Sequence, residues 1–246
     1  MSSNVYLESS NFMADLRKQT DRVIVAYSGG KDSLVALDLA TKTFPTVIPV
    51  LYYFVPDLAL DQERIDYVRD RYSLIVQPKQ AFHFYDALLA GTYCFRVKIK
   101  GRKLKVTPKL DYEIIKHEFG CQHVLTGCRR TDSWQRRQML DAGILPGTHP
   151  IADWNKYNVL AYLRRNNIPL PPTHAGSTSG IGLTARSILW LYDEHKSDYE
   201  KIARFFPFVE AIIHRRVLYN VPRAKAATRA QRLRQVNPDS GSPLPA

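Results

Sequence analysis

Six consecutive residues, Ser28, Gly29, Gly30, Lys31, Asp32 and Ser33, bring together two hydroxyls, two positions without a side chain, a cation and a carboxylate. That set suits the gripping of phosphate oxygens. The glycines remove the β-carbons that would block an anion, and backbone N–H groups and hydroxyls can donate to it. The spacing is not that of a Walker A loop, since no G-x-x-x-x-G-K-S/T is present. Farther on, Gly127 and Cys128 run into Arg129, Arg130, Thr131, Asp132, Ser133, Arg136 and Arg137. A guanidinium donates in a planar fork that matches phosphate or sulfate oxygens. Both sets therefore point to chemistry on an oxyanion, in which charge neutralisation matters more than a protein nucleophile.

The surrounding residues state how these groups are held. Val23, Ile24, Val25 and Ala26 read as a buried strand, and residues 33–40 follow with helical apolar spacing. Residues 28–33 thus form a glycine turn at a helix start, where N–H groups and the helix dipole favour an anion. Residues 123–127 read as another buried strand leading into the arginines. Further strands are predicted at 46–54, 74–76 and 151, and helices over 61–71, 81–90 and 107–119, the last stopped by Gly120. This alternation predicts an α/β fold with a doubly wound, mainly parallel sheet. Ligands of such sheets lie beyond the C-terminal strand ends, so Ser28, Asp57, Gly127 and Arg129 are expected to share one crevice.

The hexapeptide at 28–33 matches the S-G-G-x-D-S of the PP-loop ATP pyrophosphatases, and the chain resembles that superfamily of adenine nucleotide alpha hydrolase-like proteins. Residues 127–137 resemble the G-x-R-x-x-(E/D)-S-x-x-R segment of the reductases for 3′-phosphoadenylyl sulfate (PAPS) and of the nucleotide-binding subunit of ATP sulfurylase. The stretches 149–154, 158–163 and 167–172 are similar to that branch's P-L-x-D-W, V-x-x-Y-L and I-P-x-x-P. The resemblance implies ATP, or PAPS, with Mg²⁺, and cleavage of ATP between the α- and β-phosphates. It implies nucleotide contacts from Tyr27, Ser28, Gly29, Gly30, Asp32, Ser33, Asp57, Gly127, Arg129 and Arg136. Asp32 would orient the loop or hold Mg²⁺, Lys31 would add a supporting charge, and Arg129 would meet phosphate or sulfate oxygens. Asp153 is expected to cap the helix that follows, and Trp154 and Tyr162 to pack in the core.

Cysteine usage departs from the reductases. The three cysteines are Cys94, Cys121 and Cys128, so neither a nucleophile in a C-terminal E-C-G-x-H type motif nor the four ligands of an iron–sulfur cluster can be drawn from this sequence. Three readings stay open: an ATP-cleaving enzyme that adenylylates an acceptor, a sulfonucleotide reductase or sulfurtransferase-like enzyme with an external thiol, and a non-catalytic nucleotide- and nucleic-acid-binding accessory protein. The net charge of +12 over 246 residues concentrates in two places. One is the alternating stretch between Lys98 and Lys105, expected to be a β-hairpin. The other runs between Arg215 and Arg234. Clustered cations of this kind suit nucleic acid or another polyanion. The expected organisation is a nucleotide-binding α/β domain over 1–175, a lid and helical extension over 176–222, with 177–182 as its pliant part, and a basic tail over 223–246. No apolar run reaches the roughly 18 residues that span a bilayer. The first residues lack a secretory pattern, so a cytoplasmic protein is expected.

Overall fold

A computed structural model describes residues 3–89, 106–170 and 183–219. Cys94, the stretch between Lys98 and Lys105, the segment 177–182 and the tail 223–246 lie outside the described residues. Strands β1 (Arg22–Ala26), β2 (Thr46–Tyr53), β3 (Gln77–Gln80) and β4 (Val124–Leu125) form one parallel sheet in the order β3-β2-β1-β4. Helices α1 (Ser3–Arg17), α2 (Lys31–Thr43), α3 (Ala59–Tyr72), α4 (Phe82–Leu89), α5 (Pro108–Phe119), α6 (Trp134–Asp141) and α7 (Lys156–Arg165) alternate with and flank it. The expected parallel α/β architecture is what is found.

Val23, Ile24 and Val25 are fully buried, as a strand covered on both faces requires. Helix α2 is buried along residues 33–40, so its sequence is apolar around most of its circumference. Helix α5 starts on Pro108 and ends where Gly120 takes the left-handed conformation at φ +59°. From β1 the chain steps to β2 on one side, whereas β4 lies on the other. Strand order reverses between β1 and β4, and it is beyond the C-terminal ends of such strands that a ligand crevice is expected.

Three local expectations are corrected. The strand expected at 74–76 lies at Gln77–Gln80 instead: Ile75 points to solvent, and pairing with Val50–Tyr53 starts only at Gln77. Edge pairing is a backbone property, and these polar side chains gave no apolar signal. No strand forms at Ile151. The sheet is approached there only by a bridge from Thr148 to Leu125, after which Ala152 and Trp154 N–H groups turn back to the carbonyls of His149 and Ile151. Asp153 does not cap α7; Asn155 does, in a reciprocal capping box with Asn158, and Asp153 pairs with Arg130.

Helix α1 had no counterpart in the strand and helix pattern. It is fixed by Trp154, whose Nε1–H donates to Ser9 Oγ at 2.8 Å while the Ser9 hydroxyl donates to Pro150 O at 2.6 Å. The Tyr6 ring meets the indole edge-on at 4.7 Å. Trp154 is thus core, as expected. Tyr162 packs against the same group and donates its hydroxyl to Asp38 at 2.7 Å.

A second core joins α8 (Ala185–Glu194), α9 (Lys196–Phe205) and α10 (Glu210–Leu218) to the loop after β2. Ile188, Trp190, Leu191, Ile202, Phe206 and Val209 close over Val55, Leu58 and Leu60. The C-terminal helices therefore pack on the sheet domain rather than trail from it. Within them Arg216 makes two bonds to Asp193, at 2.7 and 2.8 Å, which removes it from the set of cations expected to meet a polyanion. Among the described residues no helix is long and apolar enough to cross a membrane.

Replacing Trp154 by Ala should remove an indole that is 1% exposed and lower unfolding stability by about 3–5 kcal/mol, read as a reduced urea midpoint. Ser9→Ala should cost less, about 1 kcal/mol. An unchanged midpoint for the Trp154 variant would show that α1 and α7 are not joined through this residue.

Candidate active site

Strand β1 delivers the chain to residues 27–30, and α2 begins at once. Gly29 adopts φ +70°, which glycine tolerates without strain. No side chain caps the first turn of α2, so its leading N–H groups keep donor capacity for an anion. Ser33 shapes the loop from within: its Oγ accepts from Ser28 N–H at 3.2 Å and donates to Gly30 O at 3.0 Å, and the two hydroxyl oxygens are 3.1 Å apart.

The loop after β4 closes the other side. A β-carbon on Gly127 would lie 2.5 Å from both the carbonyl carbon of Asp32 and the nitrogen of Ser33. The two loops therefore touch backbone to backbone, and only glycine fits. Thr126 Oγ1 holds the start of this loop, 2.7 Å from His149 Nδ1 and accepting from Cys128 N–H at 3.3 Å. Burial pushes the His149 imidazole below its ordinary pKa, which favours the neutral ring.

Arg129 then enters the crevice with only 6% of its side chain exposed. Its Nη2 donates to Asp132 Oδ1 at 2.5 Å. Nε stands 3.0 Å from Asp32 Oδ1, an ion-pair distance without the alignment of a hydrogen bond. Nε and Nη1 are both buried and lack a hydrogen-bond partner. A buried cation with idle donors is costly, and an oxyanion in the crevice would remove the cost. Asp132 also accepts from Arg129 N–H at 3.1 Å and from Arg136 Nη1 at 2.9 Å, which ties the half-exposed Arg136 to the rim. Ser133 caps α6 by accepting from Arg136 N–H.

Ser28, Gly29, Gly30, Lys31, Asp32, Ser33, Gly127 and Arg129 are thus placed together. The Tyr27 side chain is 1% exposed in the main core, and burial raises its phenol above the ordinary value. Asp57 is exposed at φ +58°, and its carbonyl accepts from Lys201 on α9, so its link is to the C-terminal helices. Asp32, expected as a metal ligand, lies between two cations, with Lys31 Nζ 2.5 Å from Oδ2 and Arg129 at Oδ1. Among the described residues no group of three His, Cys, Asp or Glu side chains could hold a metal ion. Both oxygens of Asp32 stand beside these cations, so a Mg²⁺ held here would share the carboxylate with them and take its other ligands from nucleotide phosphates and water.

Arg64 is the residue that sequence reading missed. A β-carbon on Gly29 would meet its Cδ at 2.7 Å and its Cγ and Nε at 2.8 Å, so this side chain lies directly on the phosphate loop. Asp61 and Arg64, three apart on a helix, look in sequence like a solvated surface pair.

A model of the phosphoadenosine phosphosulfate reductase domain matches residues 22–187. The chain is 30% identical over 125 residues to adenosine 5′-phosphosulfate reductase of Neisseria meningitidis, covering 49% of this chain and 47% of that protein. It is 28% identical to sulfate adenylyltransferase subunit 2 of Streptomyces lavendulae, covering 67% and 60%. The chain thus spans about half to three fifths of the length of these curated relatives. The fold is also that of the NH3-dependent NAD synthetase of Campylobacter jejuni, with a TM-score of 0.50 at 15% identity, covering 89% of this chain and 95% of that one.

Gly127→Ala should force the two loops apart. It is expected to cost about 1–3 kcal/mol of stability and to weaken ATP binding measured by calorimetry, with helix content by circular dichroism retained. Undiminished ATP affinity in the folded variant would mean that the 127–129 loop does not shape the nucleotide site.

Proposed function

We propose a reaction for a chain that belongs to the phosphoadenosine phosphosulfate reductase domain family: it binds ATP and transfers the adenylyl group to an oxyanion acceptor, releasing pyrophosphate. The observation that carries this reading is Arg129, a buried guanidinium beside the loop at 28–33 whose Nη1 lacks a hydrogen-bond partner among the described residues while Nε stands at Asp32.

Residues 28–33 hold the pyrophosphate half of ATP through backbone N–H groups and the Ser28 and Ser33 hydroxyls. Arg129 donates to the oxygens of the α-phosphate or of the acceptor, and Asp32 holds that guanidinium in place. An acceptor oxygen attacks the α-phosphorus in line. The bond from that phosphorus to the bridging oxygen breaks, and its electron pair leaves on pyrophosphate. An acceptor that is already anionic gives up no proton, so no general base is required. Fixed donors need no reorganisation as charge builds on the leaving group. Similarity to a sulfate adenylyltransferase subunit over 67% of this chain supports an acceptor of the sulfate class.

Cys128 favours a second reading, since it is a free, half-buried thiol within the same loop, and reductases are among the relatives. In that reading a sulfonucleotide takes the place of ATP and the thiol takes part. Cys128→Ser separates the two, because adenylyl transfer survives that change.

Purified protein given ATP, Mg²⁺ and candidate anions should form AMP derivatives and pyrophosphate. Arg129→Ala should weaken ATP binding or slow turnover by about 10- to 150-fold, the loss of a charge-assisted bond of about 1.5–3 kcal/mol. ADP and phosphate as products, or wild-type kinetics in the variant, would overturn the proposal.

A further inference from the structure

Helix α3 begins on Leu58, a residue with no group that could cap it. Its first N–H groups would be left without acceptors in a buried setting. The acceptor arrives from far along the chain. Asp198 on α9, 1% exposed, takes Ala59 N–H on Oδ1 and Leu60 N–H on Oδ2, both at 2.9 Å. A carboxylate at this end is also favoured by the helix dipole. The cap fixes the first turn of α3, which carries Asp61. Asp61 in turn holds Arg64 Nη1 at 2.8 Å, with 14% and 13% of the two side chains exposed. Burial pushes the Asp61 carboxyl up and the Arg64 guanidinium opposes it, so the pair is enclosed rather than solvated.

The Arg64 stem then lies across Gly29, closer than a β-carbon there would permit. Its Nε is buried and has no hydrogen-bond partner. It thus matches Arg129, whose Nη1 is likewise buried without a hydrogen-bond partner and which meets the same loop at Asp32. A guanidinium held by one carboxylate, with a free donor at a glycine whose role is to admit phosphate, is arranged for the phosphate itself.

We propose that Arg64 is a second phosphate-binding side chain of this site, and that Asp198 is its positioning residue. Asp198 lies beyond residues 22–187, the part of the chain matched by the family domain. The C-terminal helices therefore complete the nucleotide site from outside the family core. This rests on the reading that residues 28–33 hold the pyrophosphate half of ATP.

The test is calorimetry of the full chain with ATP, inorganic pyrophosphate and AMP. Arg64→Gln should weaken ATP and pyrophosphate by about 10- to 100-fold and leave AMP unchanged, with Arg64→Lys in between. Asp198→Asn should weaken the same two ligands. The double variant should bind no worse than Arg64→Gln alone, because both act through one guanidinium. Should Asp198→Asn fail to fold, Asp198→Glu, which keeps the charge and displaces it, should give a smaller loss confined to the same ligands. Unaltered pyrophosphate binding by Arg64→Gln, alongside loss of binding in Gly29→Val, would overturn the role of Arg64 while leaving the phosphate loop in place. Additive losses in the double variant, or an equal loss for AMP, would overturn the positioning role. A wild-type chain that binds neither ATP nor pyrophosphate would overturn this proposal and the reading beneath it together.

Discussion

The backbone of residues 32–33 and the α-carbon of Gly127 lie too close for a side chain to come between them. That contact welds the loops that follow β1 and β4, and the remaining features of the site depend on it. It sets the start of α2 against the loop that carries Arg129, whose Nε stands 3.0 Å from Asp32. A parallel sheet makes this possible, because its strands all deliver their loops to the same end and the reversal of strand order leaves that end open.

Charge in the crevice is arranged as a relay of shared carboxylates. Asp32 stands between Lys31 and Arg129, and Asp132 between Arg129 and Arg136. Asp61 holds Arg64 in the same manner on the other flank. Asp132 and Asp61 fix Arg129 and Arg64 without using all of their donors, since Arg129 Nη1 and Arg64 Nε lack a hydrogen-bond partner. Fully paired arginines would be more comfortable in the free protein and less useful to a ligand.

The legible part of this arrangement is the part written in consecutive residues. The turn at 28–33 can be read because a strand, two glycines and a helix start are contiguous, and the placement of Arg129 can be read from its position after a buried strand. What spacing cannot convey is partnership at long range. Nothing in the sequence around Asp32 tells that Arg129 stands at its carboxylate. Arg64 looked like a surface residue because Gly29, which it covers, belongs to another element. Asp198 caps a helix that begins more than a hundred residues earlier, at Ala59. The expectation for strand β3 falls three residues early for a different reason: the apolar run at 74–76 precedes Gln77–Gln80, which carry no apolar signal.

The composition of that strand governs how the sheet can grow. Ala81 N–H turns inward to Tyr53 O, so by alternation residues 78 and 80 face outward on this edge, and the first of them is proline and has no N–H. Lys79 adds a charge beside it. At the opposite edge β4 has only two residues, and Thr148 bridges to its outer side. Among the described residues, each margin is shortened or interrupted as a template for an added strand, by proline on one side and by the two-residue length of β4 on the other.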